Sequence, residues 1–330
     1  MKLYRLHFEC LSPFTTQVNS YTLFGAFCWG YRLLRGEEAL KELLERFKSE
    51  PPFLISSPVF SAYDTLFFPC PQMIDKFSEP ESEEKYKFQK EIKKIASIPK
   101  EALIEFLNGK INTKEELGNF LLEKGYIEKE NENSKEKWKI KSAKFNNFNR
   151  VRNSLNRLTL STTGGGELIN VTCYYHPKFV VYLLILDEGF DVEIFKGIYN
   201  LVSLGGDKSI GYGRVKVSLI DEEKELVEFT KPISNHIYLL SPSFPDKSFD
   251  YENKDTLYQI SIYCGFIENF YERLVKFIIK KRVFYLDAGS QLVVKVKKSF
   301  YGGLYPVAQN NEITIYQYGY AFPLYKRVVS

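Results

Sequence analysis

The order of strands and helices along the chain is the feature that most constrains the fold. Residues 2 to 10 alternate polar and apolar side chains, which predicts a strand, and apolar spacing after Ser20 predicts a helix with Ser20 as its N-cap. Farther along, LINVTCYY and KFVVYLLIL predict a hairpin, and a helix and a strand follow them. This βαββαβ order is that of a ferredoxin-like or RRM-like sheet.

The rest of the chain predicts a second, less regular unit. With 330 residues, the chain is long enough for about two domains. Short strands are predicted near residues 233–240, 256–264, 282–286, 291–297 and 312–318, and 269–281 suits either a helix or a strand. We therefore expect an α+β protein of two ferredoxin-like domains, 1–222 and 223–330, the second irregular, with the boundary at the charged DEEKE run.

Charge is unevenly distributed within the first predicted domain. Residues 75 to 139 contain 15 acidic and 14 basic residues with helical spacing in places, which predicts a charged helical insertion with a solvated outer face. Residues 141 to 166 contain no acid, and five cations lie there: Lys141, Lys144, Arg150, Arg152 and Arg157. A net charge of +4 excludes a polycationic binder, but it allows this local basic arm.

The arm carries the side chains that single-stranded RNA needs. Cations contact the phosphate backbone and aromatic rings stack on bases. Arg150, Arg152 and Arg157 supply the charge, and the rings that flank them are Phe145, Phe148, Tyr174 and Tyr175. We expect this arm to meet RNA; a hairpin docked on a partner protein is the alternative.

A second candidate is the glycine segment LGGDKSIGYGRVKV. Its four glycines permit close backbone approach, and two cations accompany them: Gly205, Gly206, Gly211 and Gly213 with Lys208 and Arg214. Such a loop suits an RNA backbone, whereas a helix C-cap and a strand-start bulge would explain Gly205 and Gly213 alone. Since no GK[ST] follows and the segment leads into a strand, it is neither a P-loop nor a dinucleotide fingerprint.

Other chemistry is sparse. The five cysteines include no CxxC pair and their number is odd, which argues against a zinc site and a disulfide framework and favours the reducing cytoplasm. His7, His176 and His236 each suit a structural role, and Asp64 suits a turn. No apolar run reaches the roughly 18 residues of a membrane span. We expect a cytoplasmic protein with no metal and no cofactor.

Five segments together resemble one known family: NSYTLFGAFCW, LFFPCP, NRVRNSLNRLT, GGDKSIGYGRV and GGLYPVAQNNEITIYQYGYAF. They are similar to the RAMP superfamily of CRISPR proteins and, within it, to Csm complex subunit 4, which caps the 5′ end of the guide RNA in type III-A effector complexes. The resemblance covers most of the chain except residues 75 to 139. It implies two ferredoxin-like domains in a non-catalytic, RNA-binding scaffold.

The resemblance also implies partners and contact residues. The implied partners are the 5′ repeat-derived tag of crRNA, the large HD/Palm subunit and the backbone RAMP subunit. The glycines with Lys208 and Arg214 match the superfamily loop that approaches RNA. The opening turn and helix start match at Asn19, Ser20, Tyr21 and Phe24, where the family usually has Asp in place of Tyr21.

Two other functions stay open. A RAMP-type endoribonuclease that processes precursor crRNA would need an acid/base group, for which Tyr21, His7 or Lys208 are available. A purely protein-binding module would use the aromatic surface alone. The chain is 16% aromatic, so aromatic rings are available both for stacking on RNA bases and for packing against partner proteins.

Overall fold

The computed structural model describes residues 1–132, 135–153, 158–159, 161–162, 168–267, 279–310 and 313–328. The chain is a mixed α/β protein with antiparallel sheets, as the predicted α+β class requires. The helices are α1 (Ser20–Arg35), α2 (Glu37–Ser49), α3 (Glu83–Ile92), α4 (Lys100–Leu107), α5 (Lys114–Glu123) and α6 (Ile194–Leu201). The strands of the first half are β1 (Lys2–Cys10), β2 (Phe53–Ile55), β3 (Val59–Ala62), β4 (Thr65–Pro69), β5 (Ser97–Pro99), β6 (Ile127–Glu132), β7 (Lys135–Ile140), β8 (Asn146–Asn153), β9 (Leu168–Tyr175), β10 (Lys178–Ile185) and β11 (Val215–Glu222).

The largest sheet is built around β1, which confirms the strand predicted at residues 2 to 10. Its order is β11-β1-β10-β3-β4-β5, and β2 also pairs with β10. Leu6, Phe8 and Cys10 alternate into the core, as the period-two pattern predicts. The ring of Phe8 lies 5.0 Å from that of Tyr199, so α6 covers this face of the sheet.

The predicted hairpin between LINVTCYY and KFVVYLLIL is wrong. β9 pairs instead with β8, and β10 pairs with β1, β2 and β3. The two strands differ in burial: β10 is buried along nearly its whole length and suits the centre of a sheet, whereas much of β9 is exposed. Residues 53 to 62 form β2 and β3, and these are the strands that pair with β10 on the side away from β1.

Helix α1 begins one residue earlier than a Ser20 cap requires. Asn19 is the N-cap, because its backbone is extended and its carbonyl accepts the N–H of Leu23 at 3.0 Å. Ser20 is the first helical residue and is fully buried. The helix packs on α6 through the stacked rings of Phe27 and Phe195, 4.7 Å apart.

The segment from 75 to 139 is more than a helical insertion. It contains α3, α4 and α5, but also the hairpin β6–β7 and strand β5, which pairs with β4. Ile92, Leu103 and Leu117 are buried in the same core as the main sheet. Its charged side chains pair at the surface, as Lys129 does with Glu84, so the segment is solvated outside and anchored inside.

After residue 222 the described ranges contain strands and a 3₁₀ turn at Val227–Thr230. The strands are β12 (His236–Leu239), β13 (Ile260–Tyr263), β14 (Val283–Leu286), β15 (Gln291–Val293), β16 (Leu304–Asn310), β17 (Ile313–Tyr318) and β18 (Pro323–Tyr325). They form the sheet β15-β12-β18 and the pairs β13–β14 and β16–β17. The segment 269–281, predicted as helix or strand, lies mostly outside the described residues.

The largest hydrophobic core spans both halves of the chain, and two smaller clusters lie within the second half. The ring of Phe24 lies 4.6 Å from that of Tyr318, and the N–H of Ile55 donates to Tyr318 Oη at 3.1 Å. Tyr238 Oη donates to the carbonyl of Pro69 at 2.7 Å. The YGYAF segment is thus core, and many aromatic residues serve packing rather than ligand binding.

Candidate nucleic-acid interface

The glycine loop, residues 205–214 between α6 and β11, is shaped by close packing. A Cβ on Gly213, whose φ is +74°, would lie 1.9 Å from the carbonyl oxygen of Leu204, and one on Gly205 would lie 2.6 Å from Thr16 Oγ1. Gly211 also has a positive φ of +93°, but it faces open space. Folding therefore explains three of the four glycines without a ligand.

The loop is fixed to the segment that follows β1. The N–H of Gly213 donates to the carbonyl of Pro13 at 2.8 Å, and the N–H of Arg214 donates to Ser12 Oγ at 2.9 Å. The carbonyl of Arg214 accepts the N–H of Leu11 at 2.9 Å. This bonding holds the loop backbone in place, while the side chain of Arg214 is exposed.

The basic arm folds back onto this loop. In β8, Arg150 and Arg152 lie two residues apart and so share a face of the β8–β9 hairpin. Their guanidinium carbons lie 5.8 Å and 5.4 Å from the ring centroid of Tyr212. Arg152 Nη2 also contacts Asp207 Oδ2 at 2.9 Å. The two candidate segments thus form one surface, called here the hairpin–loop surface (residues 146–153 and 205–214).

The hairpin–loop surface is cationic. It carries one acid, Asp207, and four cations: Arg150, Arg152, Lys208 and Arg214. Arg150 and Arg214 are exposed, whereas Tyr212 is only 4% exposed and supports the arginines from beneath. A guanidinium held over an aromatic ring loses less conformational freedom when it binds a phosphate. Arg157, the third predicted arginine, lies outside the described residues.

The opposite face of the hairpin is rich in neutral polar groups. Asn147, Asn149, Asn170 and Thr172 are all exposed there, and Thr172 Oγ1 donates to Asn149 Oδ1 at 3.2 Å. Asparagine is disfavoured in strands, so packing does not account for this concentration. Each amide offers a donor and an acceptor, as base edges do.

The residues predicted at the start of α1 lie elsewhere. Ser20 is fully buried and Phe24 is 3% exposed, so their side chains pack inside the protein, and RNA contact at these two positions stays a prediction. The N–H of Ser20 donates to Ser57 Oγ at 3.2 Å, which occupies one of the N–H groups that the resemblance implied for phosphate. The apolar spacing that predicted the helix also predicts burial of Phe24.

Tyr21 is engaged within the protein. Its ring stacks on that of Tyr285 at 5.1 Å and lies 4.6 Å from that of Tyr263. Burial raises the pKa of the Tyr21 hydroxyl to about 12, although the hydrogen bond from Asn19 Nδ2, 2.9 Å away, opposes the shift. Tyr21 therefore joins α1 to the second half of the chain, and RNA contact at Asn19 and Tyr21 stays a prediction.

A second enzyme candidate, His7, belongs to a charged cluster on the main sheet. Its Nε2 lies 2.9 Å from Asp221 Oδ1, and Arg5 Nη2 contacts Asp221 Oδ2 at 2.5 Å. Burial opposes ionisation of Asp221, but hydrogen bonds from Arg5 and His7 outweigh it and lower the pKa of the carboxyl. Among the described residues, no group of three or more His, Cys, Asp or Glu could hold a metal ion.

Two features escaped sequence reasoning. Tyr212 supports both arginines, and its position between two glycines in a basic segment was the available signal. Asp207 pairs with Arg152 across 55 residues, which no local pattern indicates.

Asp64, predicted as a turn residue, lies in a turn with a positive φ of 58°, which confirms that prediction. No helix within the described ranges has both the length and the apolarity to cross a membrane.

Comparison with known proteins shows that this chain is similar in fold to solved structures. No family model matches the chain, and no curated protein does. A chain of the Csm1–Csm4 cassette solved with cA4 is 17% identical with a TM-score of 0.59, and the match covers the whole of both chains. A chain of the Csm3–Csm4 subcomplex of the type III-A CRISPR-Cas interference complex is 20% identical with a TM-score of 0.57, over 99% of this chain and all of that one. The chain shares the fold of Csm4, the subunit common to both assemblies.

Proposed function

We propose that this protein is a non-catalytic, RNA-binding scaffold subunit of a type III-A CRISPR (Csm) complex. It binds the 5′ repeat-derived tag of crRNA and bridges the large HD/Palm subunit to the backbone RAMP subunit. The observation that carries the proposal is the docking of Arg150 and Arg152 on the glycine loop, which makes one cationic surface from two distant segments. The likeness to Csm4 over the full chain supports it.

The hairpin–loop surface suits a single-stranded RNA backbone. Its four cations, two of them over the Tyr212 ring, match a chain of phosphates, and binding that releases counterions weakens as salt rises. The exposed Phe148, 44% accessible, offers a ring beside them for stacking on a base. The amides on the opposite face of the hairpin supply base-edge contacts for the same strand.

Bridging requires surfaces that fit other proteins, and the β13–β14 hairpin supplies one. Ile260, Ile262 and Phe284 are each more than half exposed and lie on its outer face. An apolar face of this kind fits the apolar surface of a neighbouring subunit and is costly to leave in water. We assign it to the protein-binding side of the scaffold.

The domain arrangement belongs to the same proposal. The strand order β11-β1-β10 with β2 and β3 beside β10 supports a ferredoxin-like unit over 1–222. We propose a degenerate copy over 223–330. The shared core, through Phe24 and Tyr318, would hold the two units as one rigid scaffold.

The contacts of Tyr21, one of the three enzyme candidates, favour a scaffold over an endoribonuclease. Burial within a ring cluster raises the pKa of its hydroxyl to about 12. A general base needs a group poised to accept a proton near neutral pH. Cleavage of repeat RNA by the pure protein in the presence of EDTA would instead assign it the processing reaction.

The direct test is a double variant in which both Arg150 and Arg152 are changed to Ala. Its affinity for tag-bearing crRNA is measured at a series of salt concentrations. We expect affinity to fall about 10- to 30-fold at low salt, and the salt slope to decrease by about 0.7 for each phosphate that the variant no longer neutralises. Arg35→Ala with Arg46→Ala is the matched control, since both are exposed and lie near acids on other elements. Unchanged affinity and slope in the first variant would overturn the placement of the site.

A further inference from the structure

A cavity of about 240 Å³ lies where the insertion meets the edge of the main sheet. Strands β3, β4 and β5 contribute Phe60, Phe67 and Ser97 to its lining, and the segment between β7 and β8 contributes Lys144. This space exceeds what a few waters need, and it is smaller than the pockets that hold drug-sized ligands. It therefore suits one flat ring system rather than a larger molecule.

The lining is mostly apolar with cations and no acid. Its apolar members include Pro58, Phe60 and Phe67, while Lys94 and Lys144 are its charged members. Both lysines are exposed, so their ammonium groups lie at the mouth rather than in the interior. Lys94 Nζ contacts Glu91 Oε1 at 2.5 Å, so Lys94 would exchange this carboxylate for a phosphate. An apolar slot with a cationic mouth fits a planar group joined to an anion, and the absence of any lining carboxylate disfavours a cationic ligand.

Hydrogen-bonding groups inside the cavity are few but available. Ser97 Oγ accepts the N–H of Ala143 at 3.3 Å, and a serine hydroxyl that accepts a bond still has its own hydrogen to donate. Ser142 adds an exposed hydroxyl to the lining. A ring that carries acceptors on its edge can thus be oriented as well as enclosed.

Packed aromatic rings link the cavity to the segment that holds the glycine loop. The ring of Phe60 lies 4.7 Å from that of Phe145, which lies 5.5 Å from that of Phe14, on the segment that also holds the glycine loop. Lys144 precedes Arg150 by six residues, about 20 Å along an extended strand. A bound segment of several nucleotides covers that span.

We propose that this cavity receives one unstacked nucleobase of the RNA that lies on the hairpin–loop surface, with its phosphates held by Lys94 and Lys144. This inference rests on the proposed function and adds a site to it. The base leaves its neighbours in the strand and stacks against the exposed part of Phe60. Backbone contacts would then position the RNA at the arginines, and the cavity would fix its register.

The test fills the cavity from an exposed position. Ala96 lines it and is itself exposed, so Ala96→Trp occupies the space without opening the core. Ser61→Trp is the control, because Ser61 is exposed next to Phe60 and outside the lining. Each variant of the full chain is titrated with a single-stranded RNA of about 12 nucleotides that carries one abasic site at successive positions.

The wild type should lose affinity about 5- to 100-fold at one abasic position, the loss expected for one stacked base. Ala96→Trp should weaken the binding of intact RNA by a similar factor, and an abasic site at that position should cause it no further loss of affinity. Ser61→Trp should behave as wild type. Thermal melting checks folding, and Phe60→Leu serves as a second variant that removes the stacking ring.

The outcomes separate this inference from the proposed function. RNA binding with an Arg150- and Arg152-dependent salt slope, but with the same abasic profile in wild type and Ala96→Trp, would overturn the cavity assignment alone. An equal loss in Ser61→Trp would do the same. Absence of RNA binding by the wild type would overturn both.

Discussion

Two of the two-stranded pairs outside the main sheet, β8–β9 and β13–β14, present opposite chemistry. β8–β9 carries Arg150 and Arg152 on one face and exposed amides on the other. β13–β14 carries Ile260, Ile262 and Phe284 on its outer face. Both are two-stranded antiparallel ribbons, so they share a backbone hydrogen-bonding pattern, and the side chains that they present differ in chemistry.

The difference indicates how one chain can join RNA and protein. A cationic, amide-bearing ribbon gains binding free energy when phosphates replace its counterions, and an apolar ribbon gains it when its side chains leave water. Each ribbon is supported from within by aromatic rings: Tyr212 lies under the first, and Tyr263 and Tyr285 pack behind the second against Tyr21. The surface chemistry therefore differs while the aromatic support is shared.

The largest expected effect comes from making the apolar hairpin charged. Ile262→Asp with Phe284→Asp should weaken binding to the partner subunit at least about 100-fold, because two apolar anchors become buried charges at the interface. Co-purification with the large and backbone subunits measures the loss. RNA affinity should stay at the wild-type value, and Gln259→Asp, an exposed neighbour, should assemble normally. Full assembly by the double variant would contradict the division between the hairpins.

The second effect concerns the loop beneath the cationic hairpin. Gly213→Ala should lower the free energy of unfolding by about 3 kcal/mol, since it adds a clash with the Leu204 carbonyl to a left-handed φ. Gly211→Ala meets no atom within 4 Å and should lower it by about 1 kcal/mol. Urea unfolding of both variants measures the difference. Equal losses would mean that packing against Leu204 does not shape the loop.

A smaller, opposite effect is expected at Asp207. Asp207→Asn keeps a residue that tolerates its positive φ of 56°, removes the carboxylate beside Arg152, and frees that guanidinium for phosphate. RNA affinity at low salt should rise about 2- to 5-fold with a steeper salt slope. Fluorescence anisotropy measures both quantities. A fall in affinity would mean that Asp207 positions Arg152 for binding and does not compete with the RNA.

The smallest effect is expected from the Tyr212 hydroxyl. The guanidinium groups lie near the ring, so Tyr212→Phe should change RNA affinity by less than about twofold. Tyr212→Ala removes the support and should reduce affinity clearly. The same anisotropy titration compares the two variants with wild type. A large loss in Tyr212→Phe would place the hydroxyl, rather than the ring, in the binding surface.

Local patterns predicted the local elements well. The alternation over residues 2 to 10 gave β1, the apolar spacing gave α1, and the glycine segment gave a loop before β11. Pairing between distant segments was beyond such patterns. β9 pairs with β8 rather than β10, because burial and not proximity in the chain decides the partner of a central strand.

The candidate site divides in the same way. The arginines and glycines were identified from charge and composition, but their meeting through Tyr212 and Asp207 depends on the fold. Ser20 and Phe24 were carried over from a resemblance, which matches positions along a sequence without regard to exposure. Periodicity already indicated that Phe24 faces the core, and its side chain is buried in the structure.

Photo-crosslinking tests the central claim most directly. A crRNA with 4-thiouridine in its 5′ tag is bound to the assembled complex, irradiated and digested, and the crosslinked peptides are identified by mass spectrometry. We predict crosslinks to residues 146–153 and 205–214, and their loss in the Arg150→Ala, Arg152→Ala variant. Crosslinks confined to other parts of the chain, the β13–β14 hairpin included, would contradict the account.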